Sequence, residues 1–396
     1  VSAEAVGEGG GAWLARVGPA DALLEEPDGD GARPHHRSLR VDALGRWLSA
    51  RLEDGLHRRT VDGRVVRYEA RTRPPVDVPE PGAVHARVQA LAEEFHAALT
   101  GGAAAQIQTR GEFAAPPREH LEGLVGAATR WGRAAFEREL ARYEAVYDEN
   151  VEILPPDRTL DVVVLPAAGC PNASCTFCAF YRGRGLRVKP SAELVAHLEG
   201  VRDLFGPALA LRRGVFLGSA SAISLSQAKL ERALEETQRI LGRSFPAGAA
   251  AFWDPDHAPT RSGEDWVRLR QRGLRQVYVG LETGSPALRA EAGKSGDLEA
   301  FGASLHPTRE AGVRLGVIVL VGLGGVARAQ EHLRETTRAV ERLGLQAQDT
   351  VFLSAWEGSM PPAALRASER ALRDALRAVT AAKVVPYAMR SFRYYA

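Results

Sequence analysis

Three cysteines, Cys170, Cys175 and Cys178, lie on one short segment that reads Gly169-Cys170-Pro171-Asn172-Ala173-Ser174-Cys175-Thr176-Phe177-Cys178, and the chain has no others. An odd number of thiols this close together makes a poor disulfide framework. It suits thiolates that hold a metal or a cluster in a reducing compartment. With four and two residues between them, three thiolates can hold three irons of a cubane [4Fe–4S] cluster and leave the fourth iron open to a small-molecule ligand. A structural zinc site is the competing reading. It needs a fourth ligand, such as His197, and usually a second ligand pair with its own spacing.

Such a segment does chemistry only if something rigid holds it. Beyond Pro155-Pro156, short apolar runs recur at 160–165, 215–217, 249–253, 277–281, 313–321 and 351–353. They do not alternate, which is how strands of a parallel sheet buried on both faces look. Helical patterns follow at roughly 191–205, 226–241, 262–272, 297–311, 327–343 and 364–382, the third opened by a capping box, Ser262 with Asp265. Six β–α units in a row imply right-handed crossovers and a parallel sheet, either curled into an incomplete barrel or lying as a doubly wound sheet. In both, ligands gather at the C-terminal ends of the strands, and the cysteine segment follows the first run directly.

The cysteine segment resembles the signature of the radical S-adenosylmethionine (radical SAM) superfamily, Cys-x3-Cys-x-aromatic-Cys, with Phe177 at the aromatic position and one extra residue in the first gap. The resemblance covers roughly residues 155–355. It implies a partial (β/α)6 TIM-like barrel, so the fold class expected is α/β with an N-terminal, mostly helical accessory region. It implies a [4Fe–4S] cluster and S-adenosyl-L-methionine as cofactors, with Cys170, Cys175 and Cys178 as metal ligands. The cluster would cleave S-adenosylmethionine reductively to a 5′-deoxyadenosyl radical that abstracts hydrogen from a substrate. An oxygen-sensitive enzyme fed by an external one-electron donor, such as flavodoxin or ferredoxin, follows from the same resemblance.

The other strand ends extend it. Gly218, Ser219 and Ser221 stand where the family places a Gly-rich segment against the methionine amino group, although its Gly-Gly-Glu form is absent and a tight turn reads equally well. Asp254 is a candidate for the methionine ammonium or the ribose, or an ordinary turn aspartate. Gly280-Leu281-Glu282-Thr283-Gly284-Ser285 resembles the segment of the branch that includes oxygen-independent coproporphyrinogen dehydrogenase and cobalamin-linked members, which implies Glu282 and Ser285 near the ribose hydroxyls. Lys294 stands where related sequences carry a basic residue facing the methionine carboxylate, or is a surface lysine. Gly322 and Leu323, at the end of the fifth run, would lie beside adenine, although their stretch is also core.

The remaining regions carry less. Residues 1–38 lack periodicity and read as a flexible arm, with His35 and His36 in a solvated loop. Residues 39–154 read as the mostly helical accessory region, with a hairpin turn at Val61-Asp62-Gly63-Arg64 and an amphipathic helix through Val84, Val88, Leu91, Phe95 and Leu99. The core then spans 155–360, and 361–396 is a C-terminal helix and tail that would close the barrel's open side. The accessory region has no Asp-x-His-x-x-Gly motif, so no bound cobalamin is expected. A formal net charge of +2 argues against nucleic acid as partner. No apolar run is long enough for a membrane helix, and no signal peptide is evident. The expectation is a cytoplasmic radical SAM enzyme acting on a small molecule. Modification of RNA or protein, and a non-enzymatic metal-binding protein, are the alternatives.

Overall fold

The computed structural model describes residues 13–26, 37–68, 75–110, 114–149, 151, 153–218, 220–242, 245–387 and 396. Ser219, His35, His36 and the tail from 388 to 395 lie outside the described residues. The chain divides into two compact units, one of residues up to Val146 with 202–212 and 393–396, the other of Tyr147–Val201 and Arg213–Phe392.

The first unit departs from expectation. Its strands are β1 Trp13–Val17, β2 Asp21–Glu25, β3 Ser38–Asp42, β4 Trp47–Leu52, β5 Gly55–Arg59, β6 Val65–Tyr68, β7 Val76–Asp77 and β8 Ala105–Thr109. They form one sheet in the order β7-β6-β5-β4-β3-β2-β1-β8, antiparallel throughout except for β8 on β1. Helices α1 Pro81–Thr100, α2 Arg118–Ala128 and α3 Arg133–Val146 complete it. The region thus carries a sheet beside its three helices, which the sequence reading limits to one short strand pair, and described residues of the expected arm form β1 and β2. Alternation was hidden because alanines and charged residues occupy inward positions. Ala15, Ala22 and Ala50 are buried, as are Asp42, His57 and Arg59. The charges are paired inside: Arg46 bonds Asp42 and Glu139 at 2.7 Å each, and Arg59 bonds Glu139 at 2.8 Å. The hairpin through Gly63 and the α1 face of Val84, Val88, Leu91, Phe95 and Leu99 form as the sequence reads.

The second unit carries the parallel sheet. Strands β9 Asp161–Val164, β12 Gly214–Leu217, β13 Ala249–Trp253, β14 Leu274–Glu282, β15 Arg314–Val321, β16 Thr350–Ala355 and β17 Lys383–Tyr387 pair in sequence order, all parallel. A small ladder of β10 Ala167–Ala168 and β11 Arg187–Val188 closes the cysteine segment at its base. The connecting helices are α4 Ser191–Phe205, α5 Gln227–Leu241, α6 Gly263–Gln271, α7 Pro286–Glu291, α8 Leu298–Glu310, α9 Ala329–Leu343 and α10 Pro362–Val379. The Ser262–Asp265 capping box is present at the start of α6. The seventh strand, β17, lies in the segment expected to be helix and tail. Pro386 makes it read as non-strand, but an edge strand tolerates proline.

Pairing in sequence order with right-handed crossovers puts every helix on one face. The helices touch in series, α5 with α6, α6 with α8, α8 with α9 and α9 with α10. The other face must then bury itself by curling. Its aromatic side chains meet across strands: Phe216–Phe252 at 5.1 Å, Phe216–Tyr278 at 6.1 Å, Tyr278–Phe352 at 5.8 Å and Phe352–Tyr387 at 5.8 Å between ring centroids. At the lower end Arg158, just before β9, donates to Tyr278 Oη at 3.1 Å and to Gln276 Oε1 at 2.9 Å on β14, and pairs with Asp161 at 3.3 Å. β9 and β14 are three strand spacings apart, about 14 Å in a flat sheet. One guanidinium spans them because the face is concave.

Arg158 is buried with its acidic partner Asp161, so removing it takes that ion pair and the hydrogen bonds to Tyr278 and Gln276 out of the interior. Arg158→Met is expected to cost the second unit about 3 kcal/mol, read as a lower urea midpoint. A cost below roughly 1 kcal/mol, the worth of an exposed pair, would show that the bridge does not hold the curl.

Candidate metal and cofactor site

A cleft of about 460 Å³ opens at the C-terminal ends of the parallel strands. Cys170, Cys175, Cys178 and Phe177 line it, together with Asp254, Glu282 and Lys294 and with the aromatic residues Phe252, Tyr278, Trp356 and Tyr387.

The cysteine segment is fixed by its backbone. Gly169 has φ +76°, and a side chain there would collide with the carbonyls of Arg184 and Gly185. Its N–H donates to the buried Glu149 at 3.0 Å, which also pairs with Arg184 at 2.7 Å. Burial pushes the Glu149 carboxyl up, against the pull of the Gly169 N–H and Arg184. Cys170 N–H donates to Arg184 O at 2.9 Å, and Gly183 N–H to Ala173 O at 2.8 Å. Thr176 N–H donates to Ala292 O at 3.1 Å, which ties the segment to the end of α7.

The three sulfurs are free thiols. Burial pushes Cys175 up to about 12, with Lys294 pulling the other way, and burial also raises Cys170. Donors already point at sulfur: Asn172 Nδ2 at 3.1 Å from Cys175 Sγ, and Tyr181 N–H at 3.4 Å from Cys178 Sγ. Such bonds favour thiolates and tune clusters. Among the described residues no group of three or more His, Cys, Asp or Glu side chains is disposed to hold a metal ion. Three thiols on one loop, two of them met by the Asn172 and Tyr181 donors, are a donor set of the kind that holds an iron–sulfur cluster. His197, the candidate fourth zinc ligand, is buried and accepts the Leu165 N–H through Nε2 at 2.9 Å.

The charged trio is buried. Lys294 Nζ lies 3.5 Å from Glu282 Oε1 and 3.7 Å from Asp254 Oδ1. Burial alone would lower the Lys294 ammonium, but Asp254 and Glu282 overturn that and hold it above its ordinary value. Burial raises the Glu282 carboxyl, with Lys294 and Arg289 in opposition. Asp254 Oδ1 has no hydrogen-bond partner among the described residues, while Oδ2 lies 3.1 Å from His257 Nδ1. Glu282 sits at φ +62° at a bulge in β14, with Thr283 N–H bonded to Leu281 O at 2.7 Å. A non-glycine residue there costs about 1–3 kcal/mol and persists only where the surroundings impose it.

Other residues named from the sequence stand elsewhere. Ser221 is fully buried and ties two loops together, accepting the Asp254 N–H at 3.0 Å and pairing with Ser224 at 2.8 Å. Gly218 packs against Val163 and Leu165 of the first strand and its exit. Ser285 caps α7 by accepting the Leu288 N–H at 3.2 Å and donates to Glu331 at 2.5 Å. Gly322 and Leu323 line a separate cavity beside α9 and α10. Two residues the sequence did not mark support the site. Arg289 is fully buried, pairs with Asp256 at 3.0 Å and donates to Leu281 O at 3.2 Å. Glu149 anchors the cysteine segment. Neither had a signal beyond being one charged residue among many.

No protein-family profile matches the chain, and no curated protein matches it by sequence. Solved structures do resemble it. Coproporphyrinogen III oxidase from Escherichia coli, described as a radical SAM enzyme, is 20% identical with a TM-score of 0.40 over 62% of this chain and 52% of its own. A radical S-adenosylmethionine methyltransferase from Kitasatospora setae, solved with cobalamin and a [4Fe–4S] cluster, is 20% identical with a TM-score of 0.37 over 49% of this chain and 36% of its own. Methylornithine synthase is 14% identical with a TM-score of 0.37 over 68% of this chain and 78% of its own. The chain thus spans about half the length of the oxidase and about a third of the methyltransferase.

Lys294→Met removes the cation that lies between the buried Glu282 and Asp254, and is expected to cost about 3 kcal/mol near neutral pH. The Glu282 carboxyl, already raised in the folded state, would rise further above its unfolded value. A group that binds its proton more tightly when folded gains stability as pH falls, so the deficit should shrink between about pH 8 and about pH 5. Denaturant titrations of both proteins at the two pH values check this; a deficit that grows toward acid contradicts it.

Proposed function

We propose that the chain is a radical SAM enzyme: Cys170, Cys175 and Cys178 hold a [4Fe–4S] cluster, and the cleft beside them binds S-adenosylmethionine and a small-molecule substrate. The reading rests on one juxtaposition, three cysteines of a single loop sharing a cleft with the buried Asp254–Lys294–Glu282 trio at the C-terminal edge of a parallel sheet. A cluster held by Cys170, Cys175 and Cys178 would supply the electron for reductive cleavage of the sulfonium S–C5′ bond.

The chain's own residues bind, orient and exclude. Asp254 Oδ1 is ion-paired with Lys294 at 3.7 Å but accepts no hydrogen bond among the described residues, so it suits the ammonium of the methionine moiety, which would supply a donor. Lys294 offers a carboxylate a buried cation, and Glu282 offers two oxygens to the ribose hydroxyls. Phe177 meets Trp356 edge to face at 6.5 Å. With Phe252, Tyr278 and Tyr387 they make an apolar wall that keeps water from a reactive species. The wall's character favours a small molecule over RNA. An external one-electron donor such as flavodoxin or ferredoxin belongs to this reading.

Reconstitution with iron and sulfide under anaerobic conditions, followed by S-adenosylmethionine and dithionite, should yield 5′-deoxyadenosine. Cys178→Ala should lose the product and the absorbance near ~400 nm expected of thiolate-bound clusters. A Cys170/Cys175/Cys178 triple alanine variant that keeps its iron sinks the assignment. Glu282→Gln should keep the cluster and bind S-adenosylmethionine about tenfold more weakly, the worth of one charge-assisted hydrogen bond; unchanged affinity removes Glu282 from the site.

A further inference from the structure

The turn that follows Glu282 is gripped by one face of α9. Gly284 N–H donates to Thr336 Oγ1 at 3.0 Å, and Ser285 Oγ donates to Glu331 Oε1 at 2.5 Å. His332 Nδ1 lies 2.8 Å from Thr283 Oγ1 and 3.3 Å from Thr336 Oγ1. Thr283, His332 and Thr336 are all buried. A Cβ on Gly284 would lie 2.7 Å from Thr336 Cα, so only glycine lets the turn approach the helix this closely.

The contact is a hydrogen bond in either ring tautomer. Thr283 Oγ1 accepts the Ser285 N–H at 3.1 Å and Thr336 Oγ1 accepts the Gly284 N–H, and each hydroxyl keeps one proton and one lone pair to offer His332 Nδ1, with Thr283 the nearer. Burial lowers His332 to about 4, in keeping with a neutral ring. Nε2 has no partner among the described residues, and the ring lines a cavity of about 180 Å³. A buried polar ring with an unsatisfied nitrogen is a costly way to fill space. Leucine would fill it without that cost, so the hydrogen bond at Nδ1 is what the position uses.

We propose that His332 is a positioning residue for the cofactor site: by seating the Thr283 hydroxyl on Nδ1, it holds Glu282 at its positive φ with the carboxylate beside Lys294. Thr283 is the next residue along the chain, and its N–H closes the three-residue turn onto Leu281 O. Releasing Thr283 lets Glu282 relax toward ordinary backbone and swings its carboxylate away. The proposal rests on the reading that Glu282 binds S-adenosylmethionine.

The test compares two amides on the reconstituted protein. Asparagine puts an acceptor near the Nδ1 position; glutamine carries its polar end farther out, nearer Nε2. Calorimetric titration with S-adenosylmethionine should show His332→Gln weakened at least about tenfold, as misplacing a binding group does, and His332→Asn within about threefold of the parent. Iron content should be equal in all three. His332→Ala should be weak and partly rescued by added imidazole, for which the adjoining cavity leaves a path. If the parent binds and all His332 variants bind equally well, the proposal fails. If the parent does not bind, the functional reading fails instead. Amide hydrogen exchange over 281–285 then decides the clasp alone: faster in His332→Gln than in His332→Asn supports it, and equal rates overturn it. Should the His332 variants not fold, Thr336→Val against Thr336→Ser applies the same comparison to the partner hydroxyl, with loss of binding or of protection only in the valine variant expected.

Discussion

The ammonium of Lys294 is the interaction on which the site depends. It lies between Asp254, which follows β13, and Glu282, which ends β14. Burying any of these charges alone costs several kcal/mol, so each requires the others to be in place. The trio therefore ties two strand ends and the segment after α7 into one arrangement. That segment also meets the cysteine loop: Asn172 donates to Gly293 O at 2.9 Å, and a Cβ on Gly293 would lie 3.3 Å from Cys175 Cα. Sulfur and charge are thus held by the same short stretch of chain.

The parallel sheet was legible because its strands are apolar on both faces and its helices have caps and stripes that keep a strict period. β17 was not, since Pro386 interrupts a run that only an edge strand would accept. The first unit was misread for a different reason. Its strands bury alanines and paired charges where a period-two pattern calls for large apolar residues, and the Arg46–Asp42–Glu139–Arg59 network becomes visible only when β3, β4, β5 and α3 are brought together. Pattern reading assigns charge to the outside; a closed network of charges inverts that.

In the candidate site, the residues legible from sequence are those whose type is rare or whose neighbours are distinctive. The cysteines qualify, and so do Glu282 and Lys294 through their motif. Ser221 and Ser285 are expected as cofactor contacts through the resemblance; their hydroxyls bond Asp254, Ser224, Leu288 and Glu331. Those bonds are a property of three-dimensional neighbours that no local pattern marks. Arg289, Glu149 and His332 were silent for the same reason. Each acts on backbone or on a hydroxyl far away in sequence, and nothing local marks a side chain that serves a distant turn.

The cleft's aromatic lining follows from one constraint. Helices on a single face force the other face of the sheet to curl, and the curl is filled by Phe216, Phe252, Tyr278, Phe352 and Tyr387. At the strand ends Phe252, Tyr278 and Tyr387 of that row line the cleft together with the cysteines and the charged trio. The aromatic lining is thus a continuation of the core rather than a separate addition. Tyr387 Oη has no hydrogen-bond partner among the described residues, and burial holds its phenol well above its ordinary pKa.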